Sequence, residues 1–529
     1  MIELPTAPVD RAAPAGARPP NAPPRGPDLL GSGWLRRLVR WRHARLLLQV
    51  PLLLLALLIV VDGFTGRQLA PRNLATTTVW LHYRGLVVIA LLVVGNLFCG
   101  SCPLMLTRGP ARWLKRAWDR ELRWPARLRS KGLVTVLLVA FFFAYEALDL
   151  WASPWLTAWL VVGYFLAALA VDVLFPAGTF CRYVCPLGNF NFALAVASPT
   201  QIATVDADVC ERCEHKPCLH GRITDTPDRE ARWRGPDGAL RYAIDGPRRA
   251  AFVPLTEVVA PNGSGRFPGC ETGLFVPTVT STMDCTLCMN CVRSCPYDNV
   301  ALRWRPPWHE VVRDGWRHRG RRSALVMGVL LAWWGMLNAF AMVPPFFAAA
   351  DAIAGALGTR SGTLVLAVLF ALVTAAGAAA TLAAAVVADR AGGAQRGIGA
   401  AFDRWAIVVV VVGVGFWAAH YLFHFLTGAA SIVPVVEHFF AYRGADVDPN
   451  WRLAQLVPSR WLFPIGAGLV SLATALALFA TGRIALRDFG PRGVLAMWPM
   501  GLFVLAVAAL QVLVLGLPME MRGTLLGPL

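Results

Sequence analysis

The sequence predicts a mainly α fold: a polytopic bundle of about nine transmembrane helices carrying one polar α+β insert. Three observations predict it. Of 529 residues, 56% are hydrophobic and 16% charged, and the mean hydropathy is +0.52. That excludes a disordered chain and argues against an ordinary soluble domain. Nine apolar segments are long enough to cross a bilayer. A single long hydrophilic stretch, 201–322, lies between the fourth and fifth of them.

Taken in order, residues 1–40 form a predicted disordered cytoplasmic tail. Residues 1–33 are rich in Pro, Ala and Gly, and a basic run follows: Arg36, Arg37, Arg40, Arg42 and Arg45. The apolar stretch 44–62 is longer than a usual signal-peptide core and has no small-residue cleavage site after it, so it reads as an uncleaved anchor. It opens a membrane domain over 41–200, with further spans near 76–98, 132–150 and 155–175. Residues 323–529 predict a second membrane domain of about five helices, near 323–346, 362–388, 405–427, 460–482 and 493–517. Its Ala/Gly-rich part, 350–388, suits close helix packing.

Charge orients the bundle. With the N-terminus inside, the inner loops are 103–131, 176–322, 389–404 and 483–492. Loop 103–131 alone carries nine Lys and Arg, and 306–322 adds five. The outer side has few: Arg67, Arg72, Arg360, Arg443, Arg452, Arg460 and Arg522. This is the positive-inside bias of a multi-pass inner-membrane protein. It puts the N-terminus and the insert in the cytoplasm and the C-terminus outside. The net charge of +18 therefore flanks spans rather than forming a nucleic-acid surface. The expected partner of most of the chain is the lipid bilayer. Within 201–305, 13 basic residues balance 13 acidic ones.

Eight of the 12 Cys fall in this neutral insert. Cys285, Cys288, Cys291 and Cys295 followed by Pro296 form the C-x2-C-x2-C-x3-C-P run of bacterial iron–sulfur proteins. Zinc sites instead use separated pairs. Cys210, Cys213 and Cys218 form a looser motif upstream. Because the fourth Cys of such a run serves the neighbouring cluster, two 4Fe–4S clusters are expected. One would sit on Cys210, Cys213, Cys218 and Cys295. The other would use Cys285, Cys288 and Cys291, with Cys270 as fourth ligand by count. The alternative is a free thiol at Cys270 and a three-Cys cluster. The insert, 201–322, is thus a predicted ferredoxin-like domain of α+β type. Two further pairs, Cys99/Cys102 and Cys181/Cys185, each followed by Pro-Leu, lie at the inner membrane boundary. Four thiols there suit a third cluster, a reversible dithiol or a copper site. The competing reading is small buried side chains at Pro turns.

Two boundary Cys-Pro motifs followed by a two-cluster domain resemble the NapH/NosR/CcoG-type polyferredoxin membrane proteins, over about residues 76–305. The Cys181–Pro186 motif has the family's C-x3-C-P form, whereas Cys99 and Cys102 are one residue closer together. The NosR type carries a flavin-binding domain before its membrane part; here only a short tail precedes the first span, so covalent flavin is not expected. After the insert come helices where the CcoG type has a β-domain. The resemblance implies electron transfer among the quinone pool, cytoplasmic clusters and redox partners such as cytochromes or a terminal reductase. One branch implies copper reduction in oxidase assembly.

Ionisable residues within spans are costly and mark function. His82 and Arg84, Glu146 and Asp149, and His420 and His424 all fall in the outer half, and His438 follows in the next loop. His82, Glu146, His420 and His424 are the candidates for a quinol site that accepts protons. A metal or haem site on the two spaced His, or ordinary interfacial pairing, are the other readings. The chain thus predicts a quinol dehydrogenase or electron conduit. The second reading is a metal-reducing assembly factor or redox regulator of a respiratory complex.

Overall fold

The architecture comes from a computed structural model. It describes residues 26–519 apart from 32, 42, 119–121, 212, 214–215, 225–231, 235–239, 243–264, 315, 317–320, 395–396 and 454. Long apolar runs produce long helices, two of them continuing through Pro51 and Pro499, and among the described residues seven helical stretches are long and apolar enough to cross a membrane. The chain is a multi-pass membrane protein by that composition.

The first membrane half contains α2 (Leu46–Thr65), α3 (Leu74–Val93), the shorter α4 (Gly132–Ala147) and α5 (Pro154–Leu174). Capping residues set where they begin. Asn73 accepts from Ala75 N at the start of α3. Ser153 accepts from Leu156 N at the start of α5, with Pro154 in the first turn, where its missing N–H costs nothing. Within α3, Thr77–His82 widens into a π-type turn.

The second half contains α6 (Arg321–Phe340), α7 (Pro344–Leu357), α8 (Gly362–Ala391), α9 (Ile398–Gly428), α10 (Ile432–Ala441), α11 (Leu462–Phe489) and α12 (Gly493–Gly516). Five of these are long. The predicted segment 323–346 breaks after Phe340, because Pro344 and Pro345 start a new helix. Part of the predicted outer loop 428–459 is helical as α10, which carries His438. The buried core centres on α9. It is approached by glycines and alanines: a Cβ on Gly413 would stand 2.3 Å from Ala332 Cβ, and one on Gly415 2.2 Å from Ala473 Cβ. The two halves meet along α3 and α9, where Gly85 packs on Phe425 and Gly428 on Leu81.

The insert is closed at its base by two antiparallel strands, β1 (Thr200–Thr204) and β2 (Val300–Trp304), paired from Thr200↔Trp304 to Thr204↔Val300. The thiol-bearing segments lie between them, on loops and short helices at Ala207–Glu211, Pro217–His220 and Asn290–Ser294.

The predicted tail needs correction. Residues 1–25 lie outside the described residues. Beyond them the chain is ordered rather than disordered: Gly33–Arg40 is a helix, α1, and Leu30 is fully buried against the insert. Asp28 Oδ1 accepts from Leu302 N at 3.1 Å, and Trp304 N donates to Pro27 O at 3.0 Å. Composition missed this because the partners lie more than 270 residues away.

Candidate redox centre

Local backbone shapes the thiol loops. Asp284, Leu287 and Met289 all have positive φ (66°, 50° and 59°). This conformation is unusual for side chains with a Cβ, and here it coils the segment tightly around Cys285, Cys288 and Cys291. None of the 12 cysteines is in a disulfide. Burial pushes the Cys210 and Cys218 thiols up to about 12, and each is raised further by Cys295. Asn299 joins the same group directly. Its Nδ2 donates to Cys210 Sγ at 3.1 Å and its backbone N to Cys295 Sγ at 3.4 Å. Cys291 is raised by burial first, then by Cys288, Cys270 and Cys285. Cys285 is raised by burial and, among the thiols, by Cys270 and Cys288. Leu274 N donates to Cys270 Sγ at 3.2 Å, and Cys270 N donates to Cys218 O at 2.9 Å.

The boundary thiols form a third group. Burial pushes Cys99, Cys102 and Cys181 up to about 12 each, and each is raised further by another member: Cys181, Cys99 and Cys102, respectively. Cys185 is raised by burial, then by Cys181, Cys102 and Cys99. Cys185 starts a helix, accepting from Gly188 N at 3.2 Å with Pro186 in the first turn. Cys181 lies in a second π-type turn, Phe180–Val184, 3.4 Å from Met105 Sδ. The four boundary thiols thus act on one another, Cys210 and Cys218 feel Cys295, and Cys285 and Cys291 feel Cys270 and Cys288, while Cys218 also acts on Cys291, so the two insert sets adjoin. Among the described residues, no three His, Cys, Asp or Glu groups come close enough to grip one metal ion.

The boundary group opens on a cavity of about 1040 Å³ with an almost wholly apolar wall. Cys99, Cys102, Cys181 and Cys185 line it, as do His82, Arg84 and Tyr421. Arg84 is buried, its guanidinium 4.9 Å from the Trp80 ring, 4.6 Å from Tyr145 and 5.1 Å from Tyr421. Its Nη1 donates to Tyr145 Oη at 3.2 Å. Among the described residues it has no carboxylate at ion-pair distance. Asn191 connects the two ends, with Nδ2 3.3 Å from Tyr83 Oη and 3.7 Å from Cys99 Sγ.

The four candidates named from sequence separate here. His82 lines the cavity, with Nδ1 2.9 Å from Thr77 O and Nε2 3.0 Å from Ala429 O. Glu146, His420 and His424 do not line it. Glu146 Oε1 instead accepts from Asn338 Nδ2 at 2.8 Å. His420 is fully buried without a hydrogen-bond partner, its ring 4.7 Å from that of His424. Sequence reasoning placed Arg84 beside His82 but did not select it. A lone Arg one helical step from a His was the available signal.

Close backbone contacts join the boundary group to the insert. A Cβ on Gly100 would stand 2.8 Å from Thr286 O, and one on Gly178 1.6 Å from Glu271 O. Only glycine allows these approaches. Asn96 Nδ2 donates to Cys285 O at 3.2 Å, and Arg182 Nη1 to Thr272 O at 2.7 Å. Glu271, next to Cys270, pairs with Arg45 and, at 3.0 Å, with Arg108. Burial alone would raise its carboxyl, but the two arginines outweigh burial and hold it below the ordinary value.

No protein-family model matches the chain. Over 163 residues it is 24% identical to the ferredoxin-type protein NapH of Haemophilus influenzae, covering 28% of this chain and 55% of that protein. The chain therefore spans about half the length of the curated relative it matches. No solved structure matches.

Proposed function

We propose that this is a membrane-bound iron–sulfur electron-transfer protein. The observation that carries the reading is the thiol-rich insert itself, where the tightly coiled Cys285–Cys295 loop folds back so that Asn299 touches the sulfurs of both Cys295 and the distant Cys210. In this reading Cys210, Cys213, Cys218 and Cys295 hold one 4Fe–4S cluster, and Cys270, Cys285, Cys288 and Cys291 hold the other. Asn299, which touches both Cys210 and Cys295, supports the crossed assignment. The thiol sets fit the group: they are buried or half-buried, form no disulfides, and sulfurs in both receive N–H donors. Bound clusters supply one-electron transfer, while the chain sets their solvation and the hydrogen bonds to their sulfurs. The likeness to a ferredoxin-type protein agrees with this.

The cavity supports a lipophilic quinol as the membrane-side donor. Its apolar wall suits an isoprenoid tail, and Arg84, a buried cation with no carboxylate at ion-pair distance among the described residues, suits a quinone oxygen. A quinol bound here would place its oxygens near Arg84 and His82, and the clusters, when bound, would supply acceptance of its two electrons one at a time as its two protons leave. Domain limits of 41–200, 201–322 and 323–529, nine spans, a cytoplasmic insert and an inner-membrane location complete the reading.

A second reading is favoured by Met105. A thioether beside four thiols is a soft donor set suited to Cu(I), so the boundary group fits a metal-reducing assembly factor as well as a third cluster.

Anaerobic purification with iron, copper and sulfide analysis, EPR and quinol addition tests these readings. About eight irons are expected for two clusters and about twelve for three. Copper in place of the extra four irons selects the second reading. Iron present but not reduced by quinol removes the quinol step. Cys285→Ser is expected to erase one cluster signal, and an unchanged spectrum would sink the ligand assignment.

A further inference from the structure

One short stretch, Arg36 to Gln49, reaches the loops of all three thiol groups. Arg36 pairs with Asp298 at 3.2 Å, and Arg40 pairs with the same carboxylate. Arg40 Nη2 also donates to Cys295 O at 3.4 Å. Arg45 Nε donates to Gly100 O at 3.0 Å, between Cys99 and Cys102, while its Nη1 holds Glu271 beside Cys270. Gln49 Nε2 donates to Cys102 O at 3.1 Å. The spacing follows the fold. α1 places Arg36 and Arg40 on one face, one turn apart, and Arg45 sits directly before α2.

Arg36 and Arg40 are buried and Arg45 is half-buried, whereas Arg37 between them is exposed. Arg40 is 1% exposed and its partner Asp298 also 1%. Arg45 and Arg108 share Glu271, and each keeps an Nη2 that is buried without a hydrogen-bond partner. Arg293 is buried beside them and donates to Cys288 O at 2.5 Å and to Asn290 Oδ1 at 3.0 Å. A surface arginine in a membrane flank would be screened by water, whereas these act in a low-dielectric interior on groups a few ångströms away.

We propose that Arg40 and Arg45 are positioning residues that raise the reduction potentials of the two insert clusters, Arg40 for the Cys210 set and Arg45 for the Cys270 set. This rests on the iron–sulfur reading. A cluster held by four thiolates is anionic and gains one more negative charge on reduction. A fixed cation nearby stabilises the reduced form more than the oxidised form. The basic run before the first span would then have two roles: orienting the chain and holding the clusters in a potential range that the membrane donor can reach. Because both arginines sit on one arm, loss of the arm would affect both clusters together.

The test is an EPR-monitored redox titration of the full-length protein, with iron and sulfide content measured in parallel. Cys210→Ser and Cys285→Ser assign the two signals. Arg40→Gln is expected to shift only the Cys210-set midpoint to more negative potential, and Arg45→Gln only the other. Arg45→Lys, which keeps the charge, is expected to stay near the wild-type value. Iron content is expected to be unchanged in all three. Midpoints that do not move at full iron content would overturn the proposal. So would equal iron loss in Arg45→Gln and Arg45→Lys, which would mark a purely structural role. A wild-type protein without any iron–sulfur signal would overturn both this proposal and the reading beneath it.

Discussion

The two membrane halves are built from similarly apolar sequence, yet they solve packing differently. In the second half, α9 is a Val-rich helix whose most apolar stretch is 89% buried. Its neighbours reach it through glycine and alanine, and indole N–H groups find local acceptors, such as Trp334 Nε1 to Thr374 Oγ1 at 2.9 Å. In the first half, α2 and α5 are each 28% buried over the corresponding stretch, as peripheral as α8 of the second half at 22%, and what sets this half apart is a cavity of about 1040 Å³ lined in part by α2, α3 and α5. Both π-type turns of the described chain contribute residues to that cavity, His82 from one and Phe180, Cys181 from the other. Such turns re-aim side chains at functional positions. Hydropathy places both halves in the bilayer; small residues close the packing around α9 in the second and make it a scaffold, whereas in the first they join α2 to α5 at Gly63 and Ala158 but leave the neighbouring cavity open for chemistry.

Four substitutions or conditions test this contrast. The largest effect is expected from Gly413→Val, because the new side chain would strike both the Cβ and the backbone of Ala332. A cost of about 3 kcal/mol from overpacking is expected. It would be read as a lower unfolding midpoint in detergent, and wild-type stability would break the scaffold half of the comparison. Ala90→Trp places a far larger side chain in the cavity wall. Stability is expected to hold while quinol-dependent reduction falls by roughly tenfold or more, about 1.4 kcal/mol in binding terms. Equal loss of both would erase the difference between the halves. Thr374→Val removes the acceptor of Trp334. About 1 kcal/mol of stability is expected to go, with no effect on quinol reduction.

The smallest effect is a pH dependence at the seam between insert and membrane half. Glu271 has a folded pKa below its ordinary value of 4.5, so its pairing with Arg45 and Arg108 contributes fully above pH 4.5 and is lost as pH falls through the lower, folded value. Stability is expected to be flat from neutral pH to about 4.5 and then to decline. In Glu271→Gln that part of the decline should vanish. An identical acid profile in the variant would show that other carboxylates dominate.

Much of this was legible in the sequence, for local reasons. Helix positions follow from runs of apolar residues, and all nine predicted segments contain a helix. The Cys285–Pro296 spacing is a short-range code that needs no tertiary contact to read. Cys270, assigned from sequence only by count, lies in the electrostatic field of Cys285, Cys288 and Cys291. Other features were hidden. The arm from Gly26 to Arg40 looks disordered by composition because its partners, Asp298 and Leu302, are far along the chain. His420 and His424 advertise themselves by spacing, yet they face the packed bundle rather than the cavity.

Sequence alone therefore settled what depends on neighbours within a helical turn or a tight loop: the apolar helices, the charge bias of the loops and the thiol motifs. Tertiary structure alone decided which polar residues share a space. It brought Arg84 and His82 into one cavity with four thiols, and it carried Arg40 and Arg45 into the insert. The physical reason is that hydropathy and local spacing are properties of a segment. A cavity, and the burial of a charge beside a thiol, exist only between segments that the sequence keeps far apart.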